Sequence, residues 1–163
     1  MTSASPTPAA SLPVAIIGAG PIGLAAAANA AERGMTFVVL ETGADAGAAV
    51  DEWSHVRLFS SWSELVDPAA RRLLDAAGTW TAPDDNVYPT GGEWRDTYLR
   101  PLAALLDGLG GGAVRYGTRV VGVSRAGRDL LVDSGREGDP FAVHVAGPAG
   151  RERLLASAVV DAS

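Results

Sequence analysis

The chain has 163 residues, a length that corresponds to one domain with a substantial hydrophobic core. Its composition, with 47% hydrophobic and 20% charged residues, is typical of a globular protein, and its net charge of −6 excludes a basic nucleic-acid surface. It contains no cysteine, which excludes disulfides, thiolate metal sites and Cys-x-x-Cys redox centres within these residues.

Residues 1–11 carry no basic side chain and predict a flexible leader rather than a signal peptide. The longest apolar stretch, around Leu24 to Ala31, is too short to span a membrane. We therefore expect a cytoplasmic protein without membrane contact, whose single domain occupies residues 12–163.

Three elements open this domain. The apolar run Leu12–Gly18 predicts a buried strand, Pro21–Arg33 predicts a helix that stops at Gly34, and Met35–Glu41 predicts a second buried strand. A strand–helix–strand unit of about 30 residues is the usual length of a right-handed crossover between parallel strands. The opening therefore predicts an α/β protein built on a parallel sheet.

A glycine motif joins the first predicted strand to the helix. Gly18, Gly20 and Gly23 form G-x-G-x-x-G, in which the first glycine permits a tight turn, the second lets backbone approach a pyrophosphate and the third lets helix pack on strand. The helix N-terminus attracts the phosphates. Glu41 ends the second strand 18 residues after Gly23, where an acid accepts hydrogen bonds from ribose hydroxyls. Because its carboxylate repels a 2′-phosphate, the site favours FAD or NAD over NADP.

The pattern changes after the second strand. Seven of the ten aromatic residues lie between Trp53 and Tyr98, which indicates an aromatic-rich insertion at about 43–107. Within it, residues 55–59 predict short extended structure, and two helices are predicted, at Pro68–Ala77 and Glu93–Asp107. The glycine-rich run GLGGG at 108–112 then predicts an end to the helical structure. Strands are predicted after this break at Ala113–Tyr116, Arg119–Arg125, Asp129–Val132, Phe141–Val145 and Ser157–Asp161, and the second, third and fourth of these form a β-meander.

The motif GAGPIG at the head of the domain, the long aromatic crossover and the meander resemble the FAD-binding domain of two-dinucleotide flavoproteins. The resemblance is to flavin-containing monooxygenase-like and thioredoxin-reductase-like oxidoreductases. It implies a Rossmann-like FAD/NAD(P)-binding fold and FAD as cofactor. It also implies cofactor-binding roles for the following residues: Gly18, Gly20, Pro21, Ile22 and Gly23 at the pyrophosphate, Glu41 at the adenosine ribose and the backbone of Val120 at the adenine.

Two further segments, HVRLFSSW and YPTGGEW, resemble those that line the flavin and open its substrate side in that family. This resemblance makes His55, Arg57 and Trp62 candidate flavin-side residues. The competing interpretations are a loop hydrogen bond for His55 and the core of the insertion for Trp62. No catalytic residue is assigned, and two scattered histidines without cysteine predict no metal site.

In the resembled family the strand matching AVVDAS runs into a glycine beside the flavin, and a second glycine fingerprint for NAD(P)H follows. Here the sequence reaches Ser163 without either. We therefore expect a domain truncated at its C-terminus: the FAD-binding half of a monooxygenase-like oxidoreductase, with NAD(P)H as reductant only where a second domain is present. The alternatives are a non-catalytic remnant or nucleotide-binding module and, with no lysine for a Tyr-x-x-x-Lys pair, less readily a small NAD-dependent dehydrogenase. The substrate is an unidentified small molecule, and a homodimer stays open.

Overall fold

The computed structural model describes residues 12–109, 111–127 and 136–163. The predicted leader and the predicted strand at Asp129–Val132 lie outside these residues. The two elements nearest the N-terminus follow the sequence prediction, with slightly shorter bounds: strand β1 is Val14–Ile17 and helix α1 is Pro21–Glu32.

A four-stranded parallel sheet lies at the centre of the domain. Strand β2 (Phe37–Leu40) pairs with β1 from Val14↔Phe37 to Ile17↔Leu40. The short strand β3 (Val114–Arg115) pairs with β2, and the last strand, which we number β7 (Ala158–Asp161), pairs with β1 on the other side. The strand order is therefore β3-β2-β1-β7. The parallel pairing of β1 with β2 confirms the predicted α/β crossover, and the last described strand, β7, lies beside the first, β1.

The aromatic-rich insertion is helical. Its predicted Pro68–Ala77 helix forms within those bounds because Asp67 caps it, accepting hydrogen bonds from the N–H groups of Ala69 at 2.9 Å and Ala70 at 3.0 Å. The predicted extended segment 55–59 makes one antiparallel bridge, between Arg57 and Thr90. The helices of the insertion are α2 (Ala48–Asp51), α3 (Trp62–Leu65), α4 (Pro68–Ala77), α5 (Gly91–Trp94) and α6 (Arg100–Gly108).

The helix predicted over Glu93–Asp107 differs from the structure in two ways. It begins two residues earlier, at Gly91, because Thr90 and Glu93 form a reciprocal capping box. It is also not α-helical throughout, since Arg95–Leu99 form a π-helical turn between α5 and α6. In this turn the Arg100 N–H donates to the Arg95 carbonyl five residues back, a spacing that hydrophobic periodicity does not reveal.

A three-stranded antiparallel meander covers one face of the parallel sheet. It consists of β4 (Arg119–Arg125), β5 (Phe141–Gly147) and β6 (Gly150–Ala156), in that order. An antiparallel meander is present, but its strands differ from the predicted set. Two predicted strands, β4 and β5, pair directly with each other, the predicted middle strand Asp129–Val132 lies outside the described residues, and β6 was not predicted. Its sequence GRERLLA is rich in charge, and only the pairing with β5 makes it a strand: His144↔Arg153 lie on the outer face and Val143↔Leu154 on the inner face.

Two hydrophobic clusters lie on the two faces of the parallel sheet. Alternate strand residues point in opposite directions, so Ile16 and Val39 face the helices while Ala15 and Leu40 face the meander. Five of the seven aromatic residues of the insertion belong to the helix-side cluster or pack against it, with Tyr98 among the most deeply buried, whereas Phe59 and Tyr88 are exposed. The helices of the insertion therefore pack in the same core as the sheet.

Candidate nucleotide-binding site

The glycine motif forms the turn between β1 and α1, and two of its glycines are required by contact. Gly18 has φ of +99°, and a Cβ built there would lie 2.8 Å from the Ala162 carbonyl oxygen on the segment after β7. A Cβ on Gly23 would lie 2.0 Å from the Gly18 carbonyl oxygen, so helix and turn touch without a side chain between them. These contacts bring the start of α1 directly over the carboxyl end of β1.

The remaining glycine of the motif, Gly20, is not required by its backbone conformation or by packing. It is the N-cap of α1, with φ of −81°, and a Cβ built there would meet nothing within 4 Å. No side chain among the described residues caps the helix, and the residue after Gly20 is Pro21, which has no N–H. The remaining N–H groups of the first turn lack intrahelical acceptors and, together with the helix dipole, suit an anion.

Glu41 stands opposite the glycine turn at the carboxyl end of β2. One oxygen of its carboxylate (Oε2) accepts a hydrogen bond of 2.6 Å from the Ala19 N–H, and the other (Oε1) accepts one of 2.6 Å from the Gly43 N–H. The first bond links two segments that are 22 residues apart in sequence. The predicted ribose-binding acid is therefore fixed beside the glycine turn. Nearby, Tyr116 lies in the loop after β3, where burial, and less strongly the carboxylates around it, raise the pKa of its hydroxyl.

A cavity of about 240 Å³ lies at this edge of the sheet. The glycine turn and the start of α1 form one side, and the end of β2 with Glu41 forms another. Gly47–Val50, which follow β2, form the outer wall, and Ala162 and Ser163 close the side next to β7. A ligand site at the carboxyl ends of parallel strands, where the connections diverge, is the position expected for a nucleotide in an open α/β sheet.

Not every predicted site residue lies at this cavity. Gly18, Gly20, Pro21 and Glu41 line it, and Gly23 lies behind the turn. Ile22 is 70% exposed and borders a second cavity of about 420 Å³ on the outer side of α1. Their contacts with FAD stay predictions.

The remaining predicted residues lie elsewhere. Val120 packs from β4 against the cluster that contains Leu40. His55 and Arg57 are exposed, with the Arg57 guanidinium donating to the Tyr88 carbonyl, whereas Trp62 is buried in the helix-side core. The structure does not bring these four residues into the cavity, and their assignments to adenine or flavin stay predictions.

The outer wall of the cavity was not predicted from the sequence. Gly47 has φ of +69°, and its N–H donates to the Ala19 carbonyl at 2.9 Å, so the wall is tied to the glycine turn. The available signal was the small-residue run GADAGAAV at residues 43–50, which leaves room for a ligand beside the backbone. Its significance depends on a contact with a turn almost 30 residues earlier, and no local pattern reports that contact.

Within residues 12–109, 111–127 and 136–163, no group of three or more His, Asp or Glu side chains is placed to hold a metal ion. None of the helices formed by these residues is both long and apolar enough to cross a membrane.

The fold and the site define a Rossmann-like dinucleotide-binding protein: a parallel sheet, a glycine turn at the first helix and an acid at the end of the second strand. Residues 15–102, more than half of the chain, match the model of the pyridine nucleotide-disulphide oxidoreductase family, and the chain belongs to that family. No curated protein sequence matches it.

Solved structures similar to this chain support the same assignment. They include the bacillithiol disulfide reductase Bdr from Bacillus cereus, with 24% identity and a TM-score of 0.62 over 92% of this chain and 39% of that one. BexE, studied for oxidation during BE-7585A biosynthesis, has 26% identity and a TM-score of 0.59 over 94% of this chain and 32% of its own. OTEMO in complex with FAD and NADP has 19% identity and a TM-score of 0.64 over 96% and 26%.

The solved structures confirm the predicted fold class, and the family match confirms the predicted resemblance to FAD/NAD(P)-binding oxidoreductases. They also show that the chain spans only about a quarter to two fifths of the length of these neighbours. This fraction agrees with the prediction that the chain corresponds to only part of the resembled flavoproteins.

Proposed function

We propose that this chain is the FAD-binding part of an NAD(P)H-dependent flavoprotein oxidoreductase of the monooxygenase type. The observation that carries the proposal is the open space at Gly20, next to an uncapped helix N-terminus and opposite the Glu41 carboxylate. A diphosphate needs close backbone approach and N–H donors, and a ribose needs an acceptor for its hydroxyls. The cavity provides the N–H donors and the ribose acceptor at the same edge of the sheet.

The residues present fit the adenosine-diphosphate part of FAD. Gly18, Gly20 and the first turn of α1 would receive the pyrophosphate, and Glu41 would receive the ribose. When bound, FAD accepts hydride equivalents from NAD(P)H and passes electrons to oxygen or another acceptor. The share of this chain is to bind the cofactor, orient it and hold the acid that recognises its ribose.

One feature of the sequence supports a monooxygenase-type reaction over a disulphide reaction in this part of the protein. The 163 residues contain no cysteine, so none of them supplies a redox-active thiol. OTEMO, whose structure is a complex with FAD and NADP, and BexE, studied for an oxidation, share the fold along nearly the whole chain, but so does the disulfide reductase Bdr, so the fold itself does not distinguish the two reaction types. The proposal includes a small-molecule substrate and a cytoplasmic location, and it leaves a homodimer open.

The test is cofactor retention by the full chain. The purified protein is mixed with FAD, freed of unbound cofactor and examined by visible absorption, with ADP titrated in a parallel calorimetric experiment. We expect a yellow protein that retains FAD and an ADP titration that competes with it. A colourless protein that takes up no added FAD while binding NAD would overturn the proposal and favour a dehydrogenase.

A further inference from the structure

The outer wall of the cavity, Gly47–Val50, is held to the rest of the domain at several points. The Gly47 N–H donates to the Ala19 carbonyl, and the Gly117 N–H donates to the Gly43 carbonyl at 2.9 Å. These bonds set the inner side of the wall. Its outer side rests on the π-helical turn Arg95–Leu99, which comes from a distant part of the sequence.

The π-helical turn touches the wall directly. A Cβ built on Gly47 would lie 3.0 Å from Leu99 Cδ1 and 3.1 Å from Arg95 Cγ, so these two side chains close the space behind the wall. The Arg95 side chain is only 13% exposed. A glycine with positive φ and two flanking side chains therefore fix the distance between the wall and the turn.

Ion pairs connect the same turn to both flanks of the wall. On one flank, Arg95 pairs with Asp51. On the other, Arg100 Nε donates to Asp45 Oδ2 at 2.5 Å. Asp96 joins the two arginines, since one of its oxygens (Oδ1) accepts 2.8 Å hydrogen bonds from Arg95 Nε and from Arg100 Nη1. The result is a continuous network, Asp45–Arg100–Asp96–Arg95–Asp51.

The π-helical geometry is what allows both arginines to serve the wall. Residues five apart in an α-helix project about 140° from each other, because each residue turns the helix by about 100°. In the wider π turn, a residue lies nearly above the residue five positions before it. Here the Arg100 N–H donates to the Arg95 carbonyl. Arg95 and Arg100 thereby reach the two flanks of one short segment.

We propose that Arg95 and Arg100 are positioning residues of the nucleotide site, holding the wall Gly47–Val50 against the glycine turn through Asp51 and Asp45. The proposal rests on the proposed nucleotide-binding function. Single exposed ion pairs contribute little to stability. This network differs because the Arg95 side chain is only 13% exposed, so movement of the wall would separate a mostly buried charge from Asp51, and loss of pairing by a buried charge is costly.

The experiment compares Arg95→Met, Arg100→Met and Asp45→Asn with the control Arg72→Met. Arg72 makes a bidentate pair with Glu32, at 2.6 and 2.9 Å, where α1 ends, remote from the cavity. Two quantities are measured in the full chain: the Kd for ADP by calorimetry, and amide hydrogen exchange of residues 42–51 without ligand. The charge-exchanged double variant Asp45→Arg with Arg100→Asp provides the rescue.

We expect Arg95→Met to raise the ADP Kd about tenfold, which corresponds to about 1.4 kcal/mol, with faster exchange confined to residues 42–51. Arg100→Met and Asp45→Asn give smaller changes of the same kind, and the charge-exchanged variant restores part of the affinity. Arg72→Met changes neither quantity, even where its melting temperature falls.

The proposal is overturned if the Arg95 and Arg100 variants bind ADP like the control, or if their exchange quickens evenly throughout the chain. Should Arg95→Met fail to fold, Arg100→Met and Asp45→Asn carry the same comparison, since each removes interactions of half-exposed side chains. A wild-type chain that binds neither ADP nor FAD refutes the proposed function, whereas the exchange measurement still decides whether the network holds the wall.

Discussion

Replacing Gly20 by alanine separates ligand binding from folding at this site. Gly20 has φ of −81° and ψ of −174°, a conformation that any residue adopts, and an added Cβ meets no protein atom within 4 Å. Because Gly20 lines the cavity, the methyl group occupies space that a close-packed pyrophosphate needs. The substitution should therefore leave the fold intact and weaken ligand binding.

The expected magnitudes differ between the two processes. An alanine in place of glycine at an N-cap costs up to about 1 kcal/mol, and the stiffer unfolded chain offsets about 0.4–1 kcal/mol of this. The free energy of unfolding should change little. A methyl group forced into a well-packed contact costs about 1–3 kcal/mol, which corresponds to about 5- to 150-fold in Kd for FAD or ADP.

Calorimetric titration with ADP and urea unfolding measure these two quantities. Gly108→Ala is the matched control, because a Cβ there also meets nothing within 4 Å but the residue lies at the end of α6, outside the cavity lining. An alanine variant at Gly20 that binds ADP as tightly as the wild type would refute the assignment of the open space to the pyrophosphate. Loss of folding in that variant would refute the argument from free space.

Three further expectations concern the same region and its support. Gly23→Ala should lower the free energy of unfolding by at least about 3 kcal/mol in urea titration, because its Cβ would lie 2.0 Å from the Gly18 carbonyl oxygen; an unchanged midpoint would contradict this contact. Glu41→Gln removes the carboxylate charge, so the ratio of the Kd for 2′-phosphorylated ADP to that for ADP should fall; a ratio equal to that of the wild type would show that Glu41 does not discriminate against the 2′-phosphate. Burial raises the pKa of Tyr98 to about 12, so this residue should lower the free energy of unfolding of the wild type by about 2–3 kcal/mol as the pH rises from 10 through 12. Because the pKa of Tyr116 is also raised, Tyr98→Phe should show a smaller loss over the same range; equal losses in the two proteins, in unfolding experiments at matched pH, would contradict the burial of the Tyr98 hydroxyl.

Short-range rules determined much of this domain. The crossover β1–α1–β2 was predicted because buried strands and a glycine-terminated helix have local signatures. The predicted helix α4 is bounded in the structure by Asp67 and Gly78, residue types that favour helix ends. The glycine turn was predicted because the spacing of its three glycines, between a strand and a helix, is a local feature of the sequence. Glu41 was predicted from its distance along the chain to that turn.

Only the tertiary structure decided the features that depend on distant partners. Strand β6 became a strand through pairing with β5, although its own sequence is highly charged. The carboxylate of Glu41 is fixed by the Ala19 N–H, and the cavity wall is held by Arg100 through Asp45, 55 residues away in sequence. Residue spacing carries information over one helical turn or one hairpin, whereas these contacts are set by how the helices pack on the sheet. The sequence by itself therefore predicted a dinucleotide site, and the tertiary structure decided which residues enclose the cavity where we propose that the dinucleotide binds.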